Sequence, residues 1–80
     1  MVETITLTPT LEDYLEVILE LEEKENETRV TDIADKLNIA KSTVTITVNK
    51  LKSMGLVLQE SYGPIELTSA GKKHAVEVRN

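Results

Sequence analysis

Between residues 41 and 53 the chain reads KSTVTITVNKLKS, a run of short hydroxyl side chains, one carboxamide and three lysines, with one isoleucine among its β-branched residues. On a helical wheel centred on Val44, the side chains of Val44, Thr47, Val48 and Leu51 share one arc. Ser42, Ile46, Asn49 and Ser53 point away from it, flanked by Thr43, Thr45 and Lys50. Hydroxyls and carboxamides hydrogen-bond the edges of nucleobases, lysines pair with phosphates, and an apolar side chain can meet the methyl group of thymine. Lys41, Ser42, Thr43, Thr45, Ile46, Asn49 and Lys50 are therefore candidate contacts to double-stranded DNA. Arginine, the usual reader of guanine, is absent from this stretch, which predicts A·T-leaning sites and weak affinity per half-site. Ile46 stands at the pole of the outward arc. It meets a thymine methyl or a partner there, or is exposed incidentally, as single apolar residues often are.

Other chemistries find little support. There is no Cys, so neither a disulfide framework nor a thiolate metal site can form, and an intracellular, cytoplasmic location is expected. His74 is the single histidine and reads as an ordinary surface or edge residue. There is no Gly-rich phosphate loop. Asp13 and Glu16 lie one helical turn apart, but an exposed helix face lacks the enclosed pocket that carboxylate catalysis needs, so no enzyme is expected. No apolar run reaches membrane-spanning length, and the first seven residues lack the pattern of a signal peptide.

The net charge of −5 is unusual for a nucleic-acid binder until it is divided along the chain. Residues 1–27 carry nine acidic groups and one basic, Lys24, whereas residues 28–80 carry eight basic groups and five acidic. The charge is segregated, and Lys41, Lys50, Lys52, Lys72 and Lys73 belong to the part expected near phosphates. Lys72 and Lys73 are the weaker candidates.

The elements that position the candidate residues follow from apolar spacing. With 80 residues the chain is read as one domain, residues 1–80, with a small core. Leu11, Tyr14, Leu15, Ile18 and Leu21 recur every three or four residues and predict an amphipathic helix over 9–25. Either Thr8 caps it, with Pro9 in the first turn, or Thr10 does. Asn26 marks its exit. Residues 1–7 read as a tail or a short strand. Arg29-Val30 is long enough for a single β-bridge. Ile33, Ala34 and Leu37 predict a short helix over 32–37, ended by Asn38. Val44, Val48, Leu51 and Met54 then predict the helix over 42–54, with Thr31 and Ser42 as N-caps.

Residues 43–48, TVTITV, alternate in the manner of a strand, with Val44, Ile46 and Val48 on one face. The continuation of the Val44 and Val48 spacing to Leu51 favours helix. Residues 56–67 predict a hairpin around the turn cluster Ser61-Tyr62-Gly63-Pro64. Its tip offers Ser61 and Tyr62 to phosphate or the minor groove, although a tyrosine can equally pack over its own turn. Thr68 or Ser69 starts a last helix over 69–79, with Gly71 weakening its first turn. The whole is mainly α with a small β-hairpin, in the order of a winged helix-turn-helix.

The segments TPTLEDYLEVILELEE, RVTDIADKLNIAKSTVTITVNKL and LTSAGKK together resemble the metal-dependent transcriptional repressors of the diphtheria-toxin-repressor and manganese-transport-regulator family. The resemblance covers nearly all of the chain, and only the amino-terminal DNA-binding part of such repressors. It implies a DNA-binding domain acting on a palindromic operator, with the metal-binding and dimerisation domain absent and the chain a monomer or weak homodimer. It also implies that Asp13 and Glu16 are half of a site for Mn²⁺ or Fe²⁺ in the full-length context. The other ligands are expected past Asn80, so this chain is expected to bind no metal tightly. Ile46 departs from the family, where a polar or basic residue is usual. The alternative from another class is a winged-helix protein interaction module, with Ile46 and Tyr62 in a partner patch.

Overall fold

The computed structural model describes residues 7–25, 27–60 and 63–79. The readings for residues 1–6, for Asn26 as a helix exit and for Ser61 and Tyr62 at the hairpin tip lie outside the described residues. Along the rest run α1 (Pro9–Glu25), α2 (Val30–Leu37), α3 (Lys41–Ser53), β1 (Val57–Gln59), β2 (Ile65–Leu67) and α4 (Ser69–Arg79). β1 and β2 form an antiparallel pair with Leu58 opposite Glu66.

One cluster of apolar side chains joins all six elements. Leu15 and Ile18 of α1, Ile33 of α2, Val44 and Leu51 of α3, Leu56, Ile65 and Ala75 are each fully buried. Burial of each large aliphatic side chain contributes about 1.5–3 kcal/mol, so truncating any one of them removes much of a small domain's margin. This cluster also decides between helix and strand for residues 43–48. Val44 and Val48 are buried whereas Ile46 is 70% exposed. A strand would put all three on one face, whereas a helix buries Val44, Val48 and Leu51 together. Tertiary packing overrides the local β preference.

The helix ends have identifiable causes. Thr8 caps α1, its hydroxyl accepting the Leu11 N–H at 3.2 Å. Asn38 ends α2 in the left-handed region, φ 58°, and the Ile39 N–H closes onto Ala34 O. Gly55, φ 77°, ends α3, with Leu56 N–H on Leu51 O and Gly55 N–H on Lys52 O. That is a Schellman arrangement, which favours glycine at the left-handed position.

Three expectations are corrected. Thr31 and Ser42 are not N-caps: α2 is capped at Arg29 and α3 at Ala40, leaving both hydroxyl residues inside the first turns. At α2 the Asp32 carboxylate accepts the Arg29 N–H at 3.0 Å, which starts the helix two residues earlier than residue 32. The bridge at Arg29-Val30 is likewise absent, because that pair already belongs to the start of α2. Thr28 takes its place, its carbonyl accepting the Ile65 N–H at 2.6 Å. Finally, Gly71 costs α4 helix propensity, yet its place is set by close packing and not by the helix itself. A Cβ there would lie 1.9 Å from Leu56 O, so α4 approaches the root of the wing only because this residue has no side chain.

Candidate nucleic-acid interface

With Val44, Val48 and Leu51 in the core and Thr47 half-buried, α3 exposes Lys41, Ser42, Thr43, Thr45, Ile46, Asn49, Lys50, Lys52 and Ser53. The helix has 13 residues and is about 20 Å long, a rod that a DNA major groove admits. Between Asn38 and Gln59 the sequence contains no acidic residue and three lysines. Among the described residues, Lys41, Lys50 and Lys52 form no ion pair, so their charges face solvent.

The exposed side of α3 divides into two stripes. Lys41, Thr45 and Asn49, four residues apart, line an open groove of about 530 Å³. Its opposite walls are Arg29 and Thr31 at the start of α2, and Gln59 and Gly63 of the wing. Ile46 and Ser42 lie outside it, on the free crest of the helix. Thr45 and Ser53 are partly committed, their hydroxyls donating to Lys41 O at 3.1 Å and to Lys50 O at 2.7 Å. In this rotamer the Thr45 oxygen is left as an acceptor, suited to the amino group of adenine or cytosine and not to phosphate. On the wing, Gln59 donates from Nε2 to Gly63 O at 3.0 Å, holding the two sides of the hairpin together.

Arg29, Thr31 and Gln59 had no place in the site read from sequence. Residues 29 and 59 are brought together by the packing of β1 against α3 and by the bond from Ile65 to Thr28, which local spacing does not encode. The hint available was that Arg29 opens the positively charged part of the chain. Its one ion-pair partner among the described residues is Glu27, at 3.7 Å with both side chains about half exposed, a pairing that solvent screens heavily. Lys72 and Lys73 are exposed on α4 and do not line the groove.

The acidic residues concentrate elsewhere. On α1, Glu23 receives both arms of the Arg79 guanidinium at 2.9 and 3.3 Å, and Glu20 pairs with Lys36 of α2 at 3.7 Å. The hydrogen bonds from Arg79 hold the Glu23 carboxyl below its ordinary value, and the same contact raises Arg79. Asp13 is exposed and Glu16 half-buried. Among the described residues no set of three or more His, Cys, Asp or Glu is gathered to hold a metal ion. Asp13 and Glu16 offer two oxygen ligands, fewer than the coordination that Mn²⁺ or Fe²⁺ takes. His74 is on α4, 3.6 Å from Glu77.

An open groove flanked by a cation-bearing helix and a β-hairpin, on a four-helix core, defines the class: a winged helix-turn-helix. Residues 6–65 match the model of the family described as iron dependent repressor, N-terminal DNA binding domain, and the chain belongs to this family. It is 44% identical over 66 residues to the HTH-type transcriptional regulator MntR of Bacillus subtilis, and 42% identical to that of Geobacillus thermodenitrificans. Each match takes in 82% of this chain and 46% or 47% of the relative, so the chain spans about half the length of the curated relatives it matches. Among solved structures, IdeR of T. acidophilum superposes with a TM-score of 0.77 at 29% identity, over 90% of this chain and 33% of that one. A MarR family protein from Bacillus stearothermophilus gives 0.70 at 27% identity, over 94% of this chain and 53% of that one. Among the described residues no helix is long and apolar enough to cross a membrane.

Proposed function

We propose that this chain binds double-stranded DNA in a sequence-dependent manner, with α3 in the major groove and the wing along the adjoining backbone, as the DNA-binding domain of a metal-dependent repressor. The observation that carries the reading is the acid-free, exposed face of α3 opening onto the groove, its lysines unpaired among the described residues. Lys41, Lys50 and Arg29 meet phosphates, and Ser42, Thr43, Thr45 and Asn49 hydrogen-bond base edges. Ile46 rests on a thymine methyl. Asparagine favours adenine, so the absence of arginine from α3 gives an A·T-leaning preference, on an operator whose palindromy would match a pair of chains. The chain by itself is a monomer or a weak homodimer. No catalytic role is proposed. The cytoplasm, where such an operator lies in a bacterium, is the compartment this reading requires.

Asp13 and Glu16 are this chain's share of a Mn²⁺ or Fe²⁺ site that takes further ligands from elsewhere. Such a cation would take the two carboxylates as oxygen ligands.

The test is enrichment of duplexes from a random library, followed by a base-substitution scan with the wild type and Ile46→Ala. The expected result is a loss of preference confined to the A·T positions beneath Ile46, worth about 1 kcal/mol for one apolar contact. An unchanged preference at every position removes Ile46 from the readout. The exposed apolar side chain of Ile46, 70% accessible, favours a second reading in which the α3 face captures a protein. That reading requires capture that persists at high salt, with no enrichment of any duplex.

A further inference from the structure

The groove needs its second wall. Gln59 and Gly63, which supply that wall, belong to a two-stranded hairpin, and an isolated pair of strands of three residues each holds its own position poorly. One edge of β2 pairs with β1. Its other edge would present free backbone donors, and both are taken by the α1 side of the molecule. The Ile65 N–H donates to Thr28 O at 2.6 Å, and the Leu67 N–H donates to a carboxylate oxygen of Glu22, on α1, at 2.8 Å. The second contact links residues 45 apart in sequence. Glu22 is half-buried and, among the described residues, has no ion-pair partner, unlike Glu20 and Glu23 beside it. Its charge is directed to one backbone amide of the wing.

We infer that Glu22 is a positioning residue for DNA binding: its carboxylate anchors the outer edge of β2 to α1 and thereby fixes where Gln59 and Gly63 stand relative to α3. This rests on the DNA-binding reading and extends it to a residue that touches no DNA. Charge-assisted bonds from a carboxylate to a backbone N–H are short and strong, which suits the one side-chain anchor beside the backbone bond from Ile65 to Thr28. The anchor also closes an exposed strand edge that would otherwise pair with another chain. Loss of the anchor leaves the core intact, because Ile65 and Leu56 remain buried on the inner side of the wing.

The experiment compares the wild type with Glu22→Ala and Glu22→Gln, the latter keeping a neutral acceptor of the same reach. Amide hydrogen exchange is followed residue by residue, and affinity is measured on a duplex enriched by the wild-type chain from a random library. In Glu22→Ala the Leu67 amide is expected to exchange about tenfold faster, and affinity to fall about five- to tenfold, consistent with loss of one charge-assisted bond. Glu22→Gln, which keeps a neutral acceptor, restores about half of both on a logarithmic scale. Base preference under α3 stays as in the wild type, and the footprint shortens only on the wing side. Unchanged exchange at Leu67 in Glu22→Ala overturns the anchor, and faster exchange with unchanged affinity overturns its part in binding. If every amide accelerates together in both variants, Glu22 maintains the fold as a whole and the inference fails. A wild-type chain that enriches no duplex overturns the DNA-binding reading itself, a result distinct from wild type and variants binding alike.

Discussion

The α1 side and the α3 side of this molecule are built on the same apolar cluster and treat their polar groups in opposite ways. On α1 three carboxylates are spent within the chain: Glu23 on Arg79, Glu20 on Lys36, Glu22 on the Leu67 amide. On α3 the lysines, Asn49 and the Ser42 and Thr43 hydroxyls face solvent, and among the described residues no ion pair occupies them. The difference separates a face that supports the fold from one available to a ligand. It also explains how an acidic chain can bind a polyanion, since what the phosphates meet is the local surface and not the net charge.

The seam between the two sides should be the most sensitive point. Gly71→Ala places a Cβ 1.9 Å from Leu56 O, a backbone atom that can move only with the wing root. The gain in helix propensity, about 1 kcal/mol, is far smaller than the clash, and a net loss of about 2–4 kcal/mol is expected in urea unfolding. A variant as stable as wild type would show that α4 and the wing root are not in close contact.

Neutralising the α3 side comes next. Lys41→Gln with Lys50→Gln should leave the unfolding midpoint nearly unchanged. It should weaken binding roughly 10-fold or more and reduce the slope of log affinity against log salt by about 2. Equal slopes would mean that these lysines do not face phosphate.

On the α1 side, titration calorimetry with Mn²⁺ should show no binding tighter than micromolar, because Asp13 and Glu16 have no third ligand gathered beside them among the described residues. Sub-micromolar affinity would mean that the carboxylates are part of a complete site.

The smallest effect belongs to Glu23. Its folded pKa is depressed by the hydrogen bonds from Arg79, so its contribution to stability is present above the ordinary glutamate range. That contribution is lost as pH falls through the folded value. The melting temperature of Glu23→Gln should therefore lie slightly below wild type at neutral pH and converge with it in acid. A difference that persists in acid would assign the contact to packing and not to charge.

The framework was legible in the sequence because it rests on local spacing. Val44, Val48 and Leu51 repeat at four and three residues, and that repeat alone separates buried from exposed positions on α3. Asn38 marked the end of α2 by its tolerance of positive φ. The N-caps were misplaced because an Asp32 carboxylate three residues into α2 took the role assigned to the Thr31 hydroxyl, and α3 begins without a side-chain cap at all. What local spacing does not reveal is set by distant contacts. The approach of Gly71 to Leu56, the bond from Leu67 to Glu22 and the groove walls at Arg29 and Gln59 each join residues 15 to 45 positions apart, and no periodicity announces them.

Whether the acid-free α3 face meets phosphates is read by fluorescence anisotropy of the wild-type chain on an enriched duplex at salt concentrations from about 50 to 200 mM. With Arg29, Lys41, Lys50 and Lys52 engaged, the log–log slope should be about −3 to −4, a loss of affinity on the order of 100-fold across that range. Affinity that changes less than about twofold over the same range, or no binding at its lower end, would contradict phosphate contact by this face.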